Sequence, residues 1–246
     1  MSRIELIALE GLPEIEQGDD LAALLADAAG GELGAEDLLV VAHKVVSKAE
    51  GSVVDLADVE PSERAIEIAA RQQRDPRQVE VILGQSAELL RERGQLLICR
   101  THHGLICANA GVDASNAGLD GRLVLLPRDP DASARELRAA LPGNPAVLIS
   151  DSFGRAWRLG QVDAAIGLAG FTALDDWRGR SDNEGRPLSA TLLAVADQAA
   201  AAADLVRTKN GSTPAVIVRG LGRFISADDG PGAAALQRPA NEDLFL

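Results

Sequence analysis

The sequence predicts an α+β fold around a mixed sheet. Short apolar runs that read as strands alternate with amphipathic runs that read as helices. The helices are unevenly spaced and hairpin signals interrupt them, unlike the even repeat of a doubly wound parallel sheet. Residues 4–9 open the chain as a strand. Gly11-Leu12-Pro13-Glu14 breaks it, because proline has no backbone donor and glycine admits unusual dihedrals. Asp19 and Asp20 cap an apolar helix over 21–29. Residues 38–42 form a buried strand that leads into 43–51. Ser62 opens a helix reaching about Arg74. Residues 96–100 and 105–108 read as two strands around a turn at 101–104, and 111–116 as a polar loop. A strand over 123–126 precedes a helix over 133–141, capped by Asp131 or Ser133. The strand 146–150 runs into Asp151. Residues 178–187 make the longest loop, and the Ala-rich run 189–207 the longest helix. A last strand covers 214–218.

The chain has 246 residues, with 24 Lys and Arg against 37 Asp and Glu, a net charge of −13. That length suits one domain over 1–246, made of two intimate lobes with no linker between them. Excess acid and an aromatic content of only 2% argue against a nucleic-acid partner. The same charge argues against an anionic membrane surface. No run approaches the ~18 apolar residues of a membrane span. The start lacks a signal pattern, and two cysteines make no disulfide framework, so a cytoplasmic protein with free thiols is expected. Neither the P-loop nor the dinucleotide glycine fingerprint is present. A phosphate ligand would therefore be held by metal ions, a few placed Lys or Arg, and backbone amides.

Several groups of residues carry candidate chemistry. Asp113 sits in a Gly-flanked loop, and Asp151 with Ser152 follows the strand 146–150. Carboxylates and a hydroxyl are hard oxygen donors suited to Mg2+ or Mn2+. Turn formation and helix capping are the alternative roles for such Asp residues. Lys44 and Lys48, four apart, lie on one side of a helix or a strand. They either neutralise phosphate or form a solvated surface pair. Cys99, His102, His103 and Cys107 superficially resemble a zinc site. Leu97, Ile98, Leu105 and Ile106 around them instead favour a hairpin with both cysteines in its core. Arg155 and Arg158 would share one side of a helix and suit carboxylate or phosphate recognition. The other reading is a surface ion-pair network with Asp163.

The ordered set of these runs is more specific than any one of them. Gly11-Leu12-Pro13-Glu14 is followed by Gly18-Asp19-Asp20-Leu21 and by Lys44-Val45-Val46-Ser47-Lys48-Ala49-Glu50-Gly51. Gly111-Val112-Asp113-Ala114-Ser115-Asn116, Leu126-Pro127-Arg128-Asp129-Pro130-Asp131 and Ser150-Asp151-Ser152-Phe153-Gly154-Arg155-Ala156-Trp157-Arg158 come next. Ala202-Ala203-Asp204-Leu205-Val206 then precedes Pro214-Ala215-Val216-Ile217-Val218-Arg219-Gly220. From about residue 4 to the C-terminus, this order resembles the coenzyme F-420:L-glutamate ligase family (CofE).

The resemblance implies a two-lobed CofE-like fold in an intertwined homodimer. It implies a GTP-dependent ligase that joins L-glutamate to the coenzyme F-420 precursor, then adds another through a γ-linkage, releasing GDP and phosphate. A pair of divalent ions, Mg2+ or Mn2+, and a monovalent K+ are implied as helpers. By position, Leu12, Pro13, Glu14, Ile15, His43, Lys44, Lys48 and Asn116 fall on GTP contacts. Val206, Arg207, Thr208, Lys209, Asn210 and Gly211 fall on a further nucleotide segment. Asp113 and Asp151 fall on ligands of one divalent ion, and Ser152 on a ligand of the second. Phosphoryl transfer depends mainly on positioning and charge neutralisation, which makes Asp113, Asp151, Lys48 and Arg155 the catalytic candidates. The chain departs from the family pattern at His43, where relatives commonly have Ser, and at Arg207-Thr208-Lys209. If a deazaflavin binds, it has few rings to stack on, and Trp157 beside the Asp151 loop is the one to test.

Overall fold

The computed structural model describes residues 3–113, 121–207 and 213–243. In chain order, β1 (Glu5–Leu9), α1 (Leu21–Ala29), β2 (Leu38–Ala42) and α2 (His43–Ala49) come first. β3 (Val53–Asp55), α3 (Glu63–Gln72), α4 (Pro76–Gly84), β4 (Ser86–Arg93), β5 (Leu96–Thr101) and β6 (Ile106–Ala108) follow. The chain continues through β7 (Arg122–Val124), α5 (Pro130–Ala140), β8 (Ala146–Arg155) and β9 (Arg158–Ala169). It ends with β10 (Asp175–Asp176), β11 (Leu192–Leu193), α6 (Val195–Asp204) and β12 (Ala215–Arg219).

The main sheet has the order β1-β12-β2-β8-β9. Only β2 and β8 pair in parallel, so the sheet is mixed and the α+β class is as expected. Its central strands are continuous apolar runs because helices cover both faces. On one face, Leu25 of α1, Val46 of α2 and Leu137 of α5 pack on Leu39, Val41, Val147 and Ile149. On the other, Ala196, Ala199, Ala200 and Ala203 of α6 pack on Leu38, Val40, Leu148 and Val216. Gly167 of β9 allows α5 to sit close, since a Cβ there would lie 2.2 Å from the carbonyl oxygen of Pro130. A second, smaller core lies between α3, α4 and the sheet β4-β5-β6, with Ile68, Val79, Ile82, Leu97 and Cys99 buried in it.

The β8–β9 pairing is irregular at one point. Ile149 faces Gly167 but Ser150 faces Ala165, so Ile166 is an extra residue in β9, a β-bulge. The amide of Ala165 at this bulge donates to Asp197 Oδ1 of α6 at 2.9 Å.

Several expectations are corrected. The helix expected over 189–207 spans only Val195–Asp204, because Leu192 and Leu193 pair with Asp176 and Asp175 as strand. Tertiary pairing there overrides helix propensity, and α5, with 11 residues, is longer than α6, with 10. The cap of α5 is Asp129, which accepts from the Ala132 amide at 2.9 Å. Asp131 instead accepts from the Leu168 and Ala233 amides. Residues 154–163 are not a helix. They are the end of β8, a two-residue turn and the start of β9, with Arg155 directly opposite Arg158. Trp157 in that turn has φ of 64°, which ends any helical path. No helix among the described residues is long and apolar enough to cross a membrane.

Candidate active site

β2 ends beside β8, which runs in the same direction, with Ala42 opposite Ser150 as their last pair; β8 continues to Arg155, paired with β9. The next residues are therefore neighbours: His43, which opens α2, and Asp151. In open sheets with parallel strands, ligands bind beyond the carboxyl ends of those strands. His43 Nε2 lies 3.2 Å from Asp151 Oδ1. The contact is close without hydrogen-bond geometry, and neither ring nitrogen of this buried histidine makes a hydrogen bond. Lys44 Nζ meets Asp113 Oδ2 at 2.5 Å. Consecutive residues of α2 thus hold two carboxylates from separate parts of the chain. One helical turn later, Lys48 pairs with Glu14. Asp113 is fixed by a two-way backbone bridge to Val124, with N···O distances of 3.0 and 2.9 Å. Gly111, two residues before it, has φ of +72° and lies close against the Leu126 side chain, a position that favours glycine.

In the segment between β1 and α1, Leu12 and Ile15 are buried in the main core, while Pro13 and Glu14 are exposed. The apolar pair anchors the segment so that Glu14 reaches Lys48.

Asp151 and Ser152 are adjacent on a strand, so their side chains leave opposite faces. Asp151 turns towards α2. Ser152 turns towards α6, and its Oγ donates to Asp163 Oδ1 at 2.6 Å. Ser150 Oγ donates to Asp163 Oδ2 at 2.8 Å. The Arg207 guanidinium pairs with Asp163 and donates to Ser150 Oγ at 2.9 Å. Asp163 is only 4% exposed. The expected surface network of Asp163 with Arg155 and Arg158 is therefore corrected: its cation is Arg207, from beyond α6, and the pair is buried.

Arg155, Arg158 and Trp157 are not brought to this group within the chain. They sit at the exposed end of the β8–β9 hairpin, where Arg155 donates to the Leu159 carbonyl at 2.7 Å. A strand rises roughly 13 Å between Asp151 and Arg155. Trp157 at the tip is 87% exposed. Val206 packs partly against the α6-side core. Asn116 and Thr208, Lys209, Asn210 and Gly211 lie outside the described residues.

The zinc-like run is a structural hairpin. Cys99 stands opposite Cys107 in the β5–β6 pair, and both are buried free thiols. The His102 ring nitrogen lies 3.1 Å from the Gly84 carbonyl, and that of His103 3.0 Å from the Pro127 carbonyl. Burial, then the negative charge of Asp151, pushes the Cys107 thiol up to about 12, so it stays protonated at neutral pH. No group of three or more His, Cys, Asp or Glu among the described residues could hold a metal ion. Asp113 and Asp151 on the α2 side, and Ser152 on the α6 side, each carry a hard oxygen that would give only part of a cation's shell. That fits an ion such as Mg2+, whose other ligands are water and substrate phosphate.

Two carboxylates and two lysines thus gather where β2 gives way to α2 beside β8. Comparison with known proteins gives the class, a ligase. A family model described as F420-0:Gamma-glutamyl ligase matches residues 11–220. The chain is 44% identical to a coenzyme F420:L-glutamate ligase of Methanothermobacter thermautotrophicus, over 98% of each chain. It is 44% identical to that of Methanopyrus kandleri, over 99% of this chain and 97% of the other. It is 45% identical to that of Natronomonas pharaonis, over 98% of this chain and 94% of the other. The chain belongs to the F420-0:gamma-glutamyl ligase family.

Proposed function

We propose that the protein is a GTP-dependent ligase that joins L-glutamate to the coenzyme F-420 precursor, and then adds further glutamate through a γ-linkage. Family membership supports the substrates. The observation that carries the site is the meeting of Asp113 and Asp151 on Lys44 and His43, consecutive residues of α2.

An amide forms from a carboxylate only when the acyl group is activated. In this reading the γ-phosphoryl group of GTP passes to the precursor carboxylate, breaking its bond to the β-phosphate oxygen and leaving GDP. The glutamate amine then attacks the acyl carbon, phosphate departs and the amine loses a proton. Asp113 and Asp151 would hold one divalent ion, Mg2+ or Mn2+, and Ser152 a second, with K+ assisting. When bound, such ions neutralise the charge on the transferring phosphoryl group. Lys44 and Lys48 add positive charge beside the nucleotide, and exchange their present carboxylate partners for phosphate oxygens. Leu12 and Ile15 anchor the segment whose Pro13 and Glu14 border the same space, and Val206 and Arg207 lead into the rest of the nucleotide segment. Arg155, at the end of the projecting hairpin, serves a second copy of the chain rather than its own Asp151. That assignment goes with the homodimer implied by the resemblance, and the exposed Trp157 and Leu159 on the hairpin give the partner an apolar surface to cover. The two cores correspond to two intimate lobes of one ligase domain.

The test is product analysis. Incubation with precursor, GTP, L-glutamate and Mn2+ or Mg2+ is expected to give GDP, phosphate and glutamylated products by mass spectrometry. Asp151→Asn is expected to abolish them while melting as the wild type does. Wild-type protein without glutamylated product would overturn the reading, and full activity of the Asn variant would overturn the metal assignment.

A further inference from the structure

The buried carboxylate of Asp163 has no part in the chemistry above. It lies between β8, β9 and the end of α6, and it fixes the protons of the two serines that face it. A carboxylate only accepts and a guanidinium only donates, whereas a serine hydroxyl owns a single proton. Ser150 accepts from Arg207 and so gives its proton to Asp163 Oδ2. Ser152 gives its proton to Asp163 Oδ1. Hydroxyl orientation is usually ambiguous in a structure, but a carboxylate that can only accept fixes the proton of each serine that faces it.

We propose that Asp163 is a positioning residue that takes the proton of Ser152 and so fixes this hydroxyl as an acceptor, the polarity a cation requires of it. The proposal rests on the ligase reading above, in which Ser152 faces the second divalent ion. Arg207 has a definite part. It neutralises the buried carboxylate, and it decides which way an amide would turn at position 163. In Asp163→Asn the amide oxygen must face Arg207, because two donors repel. Its NH2 group then faces Ser152, which has to accept and swing its own proton outward. The substitution leaves shape and packing almost unchanged and reverses the polarity of one hydroxyl.

The experiment is a Mn2+ titration of the full chain with GDP present, read by electron paramagnetic resonance. The wild type is expected to bind a second ion. Asp163→Asn is expected to weaken that ion by roughly 10–100-fold, the usual effect of removing a partner that orients a ligand. Ser152→Ala is expected to lose the same ion, and combining it with Asp163→Asn to add nothing. Ser150→Ala removes another donor from the same carboxylate. It is expected to lower the melting temperature yet leave Mn2+ affinity within about twofold, which separates polarity from mere stability. If Asp163→Asn does not fold, Asp163→Leu with Arg207→Met removes both buried charges together, which proteins tolerate better. It also deprives Ser152 of its acceptor, so the same loss is expected. Wild-type affinity in the Asp163 variant, or an equal loss in Ser150→Ala, overturns the proposal. Wild-type protein that binds no second Mn2+ with GDP overturns the underlying two-ion reading instead, and the proposal with it.

Discussion

His43 and Lys44 show how much chemistry two adjacent residues can organise. One side chain leans on Asp151 and the next grips Asp113. Lys48 extends the same side of α2 to Glu14, which is exposed, and an exposed ion pair contributes about 0–1 kcal/mol. Lys48→Ala loses little from the ion pair but also removes a lysine stem whose side chain is only 14% exposed, and is expected to lower the melting temperature by a few degrees at most. It should raise the KM for GTP by about tenfold, the loss of one charge-assisted contact to phosphate. Steady-state kinetics at saturating glutamate check this. The cysteines give a separate expectation. With its thiol pushed up to about 12, Cys107 carries almost no thiolate at pH 8, and burial raises the Cys99 thiol as well. Iodoacetamide is expected to label neither in the folded protein and both in denaturant, counted by intact mass. Asp113, Asp151 and Lys44 stood out in the sequence as candidates beside Gly-bounded turns, and the structure brings both carboxylates to α2. The network of Asp163 was not legible in the sequence. The nearest cations along the chain are Arg158 and Arg155, and they suggested a surface network. Its true partner, Arg207, is 44 residues away and reaches it only once α6 has packed on the sheet.

At the scale of elements, the strands of the main sheet were readable because residues 38–41, 146–149 and 215–218 are buried and so are apolar without interruption. The hairpin was not, because a helix and a strand can both carry the polar run 154–163, and only the two-residue turn at Ala156 and Trp157 decides between them. α6 has a similar lesson at its start, where pairing of Leu192 and Leu193 claims residues that their propensity would assign to helix. Within α6, Asp197 accepts from the Ala165 amide, and burial holds its carboxyl above the usual range. A raised folded-state value means that the folded protein binds the proton more tightly than the unfolded chain. The contribution of this group to stability is then fully present below about pH 3.8 and is lost as pH rises through the folded value. Asp197→Asn keeps an oxygen for the amide and removes the charge. It is expected to melt at or above the wild-type temperature at pH 7, with any gain shrinking towards pH 4, as measured by calorimetry across that range. Asp197→Ala leaves the amide unpaired and is expected to cost about 1–3 kcal/mol at both ends.

For the whole molecule, the α+β class, the mixed sheet and the family were all within reach of the sequence, whereas the homodimer came from the resemblance alone, since nothing in one chain's pattern says what covers a protruding hairpin. Light scattering on the purified chain is expected to give the mass of a dimer, and Trp157→Ala with Leu159→Ser to shift it towards the monomer. A monomeric wild type would remove both the partner and the role given to Arg155. The bulge at Ile166 reaches furthest across the molecule. Residues facing each other across two strands share a side of the sheet, so a single extra residue exchanges the sides of everything beyond it. If Ile166 were instead paired with Ser150 in a regular ladder, Ser152 would stand opposite Ala164, and Asp163 would be carried to the α2 side, opposite Phe153. The frame of β9 is thus a one-residue phase setting: drawing Ile166 into the ladder would separate Asp163 from both serines, whereas deleting it would keep Ser152 opposite Asp163 and only straighten the strand.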